Sequence, residues 1–214
     1  MATRAPSSRS RPFTAAIHEL AARPAPACLV DLDGTVLFLN DAWDRFARDC
    51  AGGLVGEATV GLRLVESIQG DEARRILRAL MEGVVQHGTG CRPIAVTTEC
   101  NGPDVARLVT TQVGPVAAGT ELIGLTVQHR IVRERPAAEV YPVVELGELD
   151  YHSADGVLEQ CSCCRRTRRP ADPAEWDFVP GLVAAPPAET RLGYCPLCRE
   201  LHHPAGPPAE DGEG

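Results

Sequence analysis

The chain has 214 residues, 44% hydrophobic and 23% charged, with a formal net charge of −8. That balance excludes a wholly disordered chain and argues against a general nucleic-acid binder, and the length suits one ordinary domain plus a small module. All 21 basic residues are arginine, which excludes lysine chemistry, and no window reaches the roughly 18–20 apolar residues of a membrane span.

Residues 1–25 read as a flexible tail carrying a short helix. The start, through Ala16, is basic but lacks the apolar stretch of a secretory signal. Phe13 to Ala22 fits a helix ended by Pro24 and Pro26. Ala27 to Leu32 and Val36 to Leu39 are apolar runs joined at Asp33-Gly34, the pattern of a tight hairpin. Asn40 or Asp41 then caps a helix through Asp49, with Trp43, Phe46 and Ala47 on one face.

A longer helix follows. Asp71 suits its N-cap; Ile76, Leu77, Leu80, Met81, Val84 and Val85 recur at helical spacing; Gly88 suits its end. Three strand-like stretches come next, Arg92 to Thr98, Val105 to Val113 and Glu121 to Ile131, with Gly and Pro in the links. This grouping predicts an α+β domain over residues 26–131: one antiparallel sheet with helices on one side. Residues 132–155 read as a linker, 156–203 as a cysteine-rich module, and the Pro, Gly and acid of 204–214 as a disordered tail.

Nine cysteines are present, and Cys161, Cys163, Cys164, Cys195 and Cys198 fall within one short stretch. An odd number without a secretory signal points to metal rather than disulfides, and to a reducing, cytoplasmic setting. Cys161 and Cys164 form one C-x-x-C pair and Cys195 and Cys198 a second, separated by 30 residues. Each pair spans a tight turn that can place two thiolates on one ion, so together they predict a closed four-cysteine zinc site. The spacer exceeds the roughly 15–20 residues of a zinc ribbon. Cys163 reads as an exposed spare thiol, or as a substitute ligand or oxidant-reactive group. His202 and His203 are further substitute ligands, placed just outside the site. Cys28, Cys50, Cys91 and Cys100 are scattered and read as small buried apolar side chains. Arg165, Arg166, Arg168 and Arg169 form a basic run that suits a solvated face or an acidic partner; contact with phosphate would make the module a nucleic-acid-binding regulator.

The string Asp31-Leu32-Asp33-Gly34-Thr35 after Cys28-Leu29-Val30 resembles the first motif of haloacid-dehalogenase-type phosphatases. The resemblance implies Asp31 as nucleophile, Asp33 as general acid/base and magnesium between them. The remainder of that pattern is missing: no lysine can hold the phosphate, and the stretches after residue 90 carry no late acidic pair. Strands joined by short turns also do not build a doubly wound sheet. The alternative is that Asp33-Gly34 only turns a hairpin.

The longer stretch Asp31-Leu32-Asp33-Gly34-Thr35-Val36-Leu37-Phe38-Leu39-Asn40-Asp41-Ala42-Trp43 resembles the opening of a PAS domain. In that family an Asp-x-x-Gly turn leads to an Asn starting the first helix, with an aromatic residue three positions on. Val55-Gly56 to Ile68 resembles the segment before the family's long connecting helix, and Asp71 to His87 resembles that helix. The resemblance spans about residues 26 to 131 and implies a five-stranded antiparallel sheet. It also implies a sensory role, with a pocket for a small ligand or cofactor, dimerisation, or both. The flavin-reactive Asn-Cys-Arg-Phe-Leu motif does not occur. His87, the candidate haem ligand, sits beside Gly88 where a histidine suits the helix dipole; His129 reads as an exposed or satisfied histidine.

Cys161, Cys164, Arg165, Arg166, Arg168, Trp176, Gly193, Cys195, Pro196 and Cys198 also resemble a short cysteine-rich tail that follows PAS domains in some bacterial signalling proteins. That tail usually has His before the Gly; here it is Leu192. The expectation is a non-enzymatic signalling protein. A PAS sensor that forms a homodimer is joined to a zinc module and acts through contacts with a protein partner, away from membranes.

Overall fold

The computed structural model describes residues 10–49, 59–68, 70–147 and 150–202. Cys50, the Val55-Gly56 segment, His203 and the two end segments 1–9 and 204–214 lie outside the described residues. Helix α1 (Ser10–Ala21) leads into strand β1 (Ala27–Val30) and its partner β2 (Val36–Leu39). The Asp31 carboxylate makes the turn between them. Its Oδ1 accepts hydrogen bonds from the backbone N–H of Asp33 at 3.0 Å and of Thr35 at 2.8 Å. Gly34 takes φ 81°, which a side chain would resist. Asn40 then closes helix α2 (Asp41–Asp49): its Oδ1 accepts from Trp43 N and Ala27 N, and its Nδ2 donates to the Ala25 carbonyl at 2.9 Å.

Helix α3 (Asp71–His87) precedes strands β3 (Ile94–Glu99), β4 (Val105–Ala118) and β5 (Glu121–Pro136). The five strands form one antiparallel sheet in the order β2-β1-β5-β4-β3. This is the sheet implied by the PAS resemblance. It excludes the doubly wound architecture a haloacid-dehalogenase-type phosphatase needs, and the carboxylate that would be its nucleophile, Asp31, is spent on a turn.

The expectation of helices on one side needs correcting. All four residues of β1 are buried because the strand is covered on both faces. Cys28 and Val30 pack with Leu77, Leu80 and Val84 of α3, whereas Ala27 and Leu29 pack with Phe13, Ile17 and Leu20 of α1. Gly124 on β5 permits this second layer: a Cβ there would lie 2.6 Å from the Val30 carbonyl oxygen and 2.9 Å from the Phe13 ring. α1 is thus held by its own chain's sheet, as a helix of 12 residues too short to stand alone requires.

Two further expectations change. Asp71 is the first helical residue of α3 rather than its cap; Gly70 holds the cap position, and no side chain caps it. The reason is a close approach, since a Cβ on Gly70 would lie 2.9 Å from Ser162 Cβ. β5 also runs past Ile131 to Pro136, paired with β4 as far as Val105.

The C-terminal sheet contains β6 (Leu158–Cys161), β7 (Thr167–Arg168), β8 (Trp176–Asp177) and β9 (Thr190–Gly193) in the order β8-β7-β6-β9. Two short helices, α4 (Pro180–Ala184) and α5 (Pro196–His202), complete it. Residues between the sheets are packed rather than free. Ala137 and Tyr151 are buried, Tyr141 stacks on Phe178 with ring centroids 5.0 Å apart, and the Tyr151 hydroxyl donates to Asp177 at 2.8 Å.

Candidate metal centre and the cavity beside it

β6 and β9 run parallel, with Cys161 opposite Gly193. Their C-terminal ends therefore deliver both C-x-x-C pairs to the same edge of the sheet. Parallel neighbours need a long crossover, and the 30 residues between the pairs supply it as β7, β8 and α4. The unusual spacer length thus follows from strand direction.

The sulfur atoms of Cys161, Cys164, Cys195 and Cys198 all lie within 4.8 Å of one another, and all four residues are buried. Cys164 Sγ and Cys195 Sγ are 3.7 Å apart. A tetrahedral zinc with Zn–S near 2.3 Å has sulfur–sulfur edges of about 3.8 Å, so the quartet fits that ion. Backbone geometry supports the turns. Arg165 N donates to the Cys161 carbonyl at 3.0 Å, and Arg165 itself takes φ 62°, a left-handed conformation at the closure of the knuckle. Cys198 N donates to Cys195 Sγ at 3.4 Å.

Arg166 answers the charge of the sulfurs. Its Nε donates to Cys164 Sγ at 3.2 Å, one terminal nitrogen donates to Cys195 Sγ at 3.4 Å, and the guanidinium lies over the Tyr141 ring. Burial works against that positive charge, but the neighbouring Cys164 and Cys195 sulfurs more than offset it and keep the group firmly protonated. Hydrogen bonding among the thiols, Cys164 first, draws Cys161 down to about 7, and that from Cys161 and Cys164 draws Cys195 lower. Cys164 and Cys198, on the other side of those bonds, are pushed up. The quartet shares its protons as a unit, and a divalent ion would replace them.

Two more arginines of the basic run are paired within the chain. Arg168 meets Glu159, and Arg169 makes a two-pronged contact with Asp177, one arm at 2.8 Å. With three of the four arginines so engaged, the run is not the open cationic face that phosphate contact would need. Cys163 is buried rather than exposed; it is not one of the four clustered sulfurs but packs against them and bonds to Cys198. α5 ends at His202; its side chain, like all of His203, is outside the described residues.

A cavity of about 230 Å³ lies between the two sheets. Trp43, Phe46, Ile76, Leu80 and Val96 line it together with Ser162, Cys163, Arg165 and Tyr194 of the cysteine module. It is smaller than the roughly 300–1,000 Å³ of pockets for drug-sized ligands. His129 also faces it. The ring sits 5.0 Å from Phe46 and 4.9 Å from Trp43, and its Nδ1 shares a 2.9 Å hydrogen bond with Thr111 Oγ1. Burial holds its pKa down to about 4, so it is neutral at pH 7. His87 is elsewhere, exposed at the end of α3 with Nδ1 on the Gly83 carbonyl at 2.7 Å. Cys28 is buried in the core, where desolvation pushes its thiol up.

The sequence reading missed the residues that join the two parts. Asn101, in the turn after β3, is 1% exposed. Its Nδ2 donates to the Cys164 carbonyl and to the Tyr141 hydroxyl, each at 2.9 Å, and its Oδ1 accepts from Arg107 N. Tyr141 in turn donates to Glu99 at 2.8 Å. Asn101-Gly102-Pro103 reads as an ordinary turn, and no sequence signal marks its long-range role.

No protein-family model and no curated protein sequence matches the chain. Solved structures do resemble it. The PAS domain of BvgS from Bordetella pertussis has 20% identity and a TM-score of 0.46, covering 60% of this chain and 90% of that one. A PAS domain from Colwellia psychrerythraea has 10% identity and a TM-score of 0.40, covering 56% of this chain and 96% of that one. A phage VqmA–DPO complex has 14% identity and a TM-score of 0.44; the match covers 58% of this chain and 55% of that one. Among the described residues, no helix is long and apolar enough to cross a membrane.

Proposed function

We propose that the protein is a non-enzymatic sensor. Its PAS-like part, residues 26–131, holds a small ligand, and the module over residues 156–203 is a structural zinc site through Cys161, Cys164, Cys195 and Cys198. Residues 132–155 join the two. The observation that carries this reading is the buried sulfur quartet beside the cavity, with Cys163, Arg165 and Tyr194 of the module lining its wall. Zinc would be held by the four thiolates, with Arg166 offsetting part of their charge. Asn101 would transmit the state of the knuckle to the sheet. Output is through contact with a protein partner. The homodimer expected of such a sensor would use a surface other than the inner side of α1, whose Leu20 is 1% exposed against the sheet.

None of the eight described cysteines is in a disulfide. A metal site of this kind needs reduced sulfur, which favours the cytoplasm. Elemental analysis and an absorption spectrum of protein purified under reducing conditions test the reading. The expected result is one zinc per chain and no visible absorption. A chain without stoichiometric metal, or one with a bound haem or flavin, would overturn it.

A further inference from the structure

Arg165 is the feature the zinc site leaves unexplained. Arg166 sits on the sulfurs and Arg168 and Arg169 have carboxylates, but Arg165 has neither. It is 7% exposed, and its guanidinium makes one long hydrogen bond, 3.4 Å to Gln160 Oε1. No carboxylate of the described residues lies within 4.0 Å of it. A buried cation without a counter-ion is strongly unfavourable. Arg165 lines the cavity. Glu99 lines the same cavity, yet it stays beyond ion-pair reach and accepts the Tyr141 hydroxyl instead. Aromatic and aliphatic side chains line the cavity too: Trp43, Phe46, Leu80 and Val96. A guanidinium fork matches a carboxylate in two-pronged geometry.

We propose that this cavity takes a small organic acid: a carboxylate held by Arg165 and a single apolar body, about one ring in size, against Trp43 and Phe46. The size follows from the volume of about 230 Å³. The inference rests on the sensor reading above and adds to it the class of ligand and the residue that recognises it. Because Arg165 follows the first C-x-x-C pair directly, the ligand would be held partly by the metal module. Release of the metal would then open the cavity.

Titration calorimetry of the full-length chain at pH 7 tests this with benzoate, cyclohexanecarboxylate and the uncharged benzyl alcohol as probes. One or both acids should bind saturably at one site, and benzyl alcohol roughly tenfold more weakly or worse, since the charge-assisted contact is lost. Arg165→Met should weaken binding of the acid by about tenfold or more, while Arg165→Lys keeps part of it. Zinc content is measured on every sample. If Arg165→Met has lost its zinc, Val96→Phe, which fills the cavity and leaves the knuckle alone, should abolish binding instead. Equal binding of benzyl alcohol, full binding by Arg165→Met, or no binding of either acid at millimolar concentration would overturn the proposal. In that last case a zinc-replete chain shows Arg165 serving only as a distant counter-charge to the sulfurs, and the zinc reading stands. A chain without zinc overturns that reading separately.

Discussion

The carboxamide of Asn101, in the turn after β3, donates a 2.9 Å hydrogen bond to the backbone carbonyl of Cys164, one of the four clustered thiol residues. The same buried group holds the Tyr141 hydroxyl and the Arg107 N–H. One side chain therefore ties the five-stranded sheet, the segment after β5 and the four-cysteine knuckle together. A lost partner in so dry a place leaves its neighbours unsatisfied, at about 1–3 kcal/mol. Asn101→Ala should destabilise the whole chain by that order, read as a lower urea midpoint at unchanged slope, without loss of any bound zinc. An unchanged midpoint would show that the two parts are not coupled through this residue.

Zinc on the sulfur quartet would give a steeper loss. Metal binding in such sites can contribute on the order of 10 kcal/mol to folding of a small module. Replacing Cys161 and Cys195 with Ser should abolish zinc binding and expose residues 156–203 to proteolysis, while the five-stranded sheet survives. Protection of that segment in the double variant would contradict a structural role for the ion.

Asp31 gives a discriminating pair of variants. Asp31→Asn keeps the Oδ1 acceptor that holds the N–H groups of Asp33 and Thr35, so stability should hardly change. Asp31→Ala removes it and should cost about 1 kcal/mol. With Asp31 serving the turn, neither variant should lose phosphatase activity, and magnesium-dependent phosphomonoester hydrolysis that disappears in Asp31→Asn would reopen the enzymatic reading.

His129 predicts a pH dependence. Its pKa is held at about 4 in the folded chain, against 6.5 as the ordinary value. Between those values the unfolded chain binds a proton that the folded chain does not, so stability falls as pH drops from about 6.5 towards 4. The loss from this group between pH 7 and 5 should be roughly 2 kcal/mol. Thermal unfolding of the native chain and of His129→Gln at both pH values isolates it, because acid effects on the metal site are common to the two. Parallel curves would contradict the burial of a neutral imidazole.

What could be read in the sequence depended on whether a signal was local. The Asp31 to Asn40 turn-and-cap pattern, the apolar stripe of α3 and the two C-x-x-C pairs are short-range devices, and each is visible as residue types at fixed spacing. The second helical layer was hidden, although β1 hinted at it: four consecutive apolar residues suit a strand covered on both faces, where alternation would mark one wet side. Gly70 was missed as a cap because the demand on it comes from Ser162, far along the chain. Arg165, Arg166 and Asn101 were illegible for the same reason. A run of four arginines looks alike in sequence, while in the fold one meets sulfur, two meet carboxylates and one faces a cavity.

Zinc K-edge X-ray absorption on the full-length chain tests the central claim most directly. The account predicts one zinc per chain with four sulfur neighbours at about 2.3 Å, reduced to fewer sulfurs or to no bound metal in Cys195→Ser. Substoichiometric metal, or a shell with nitrogen or oxygen in place of any of the four sulfurs in the native chain, would contradict it.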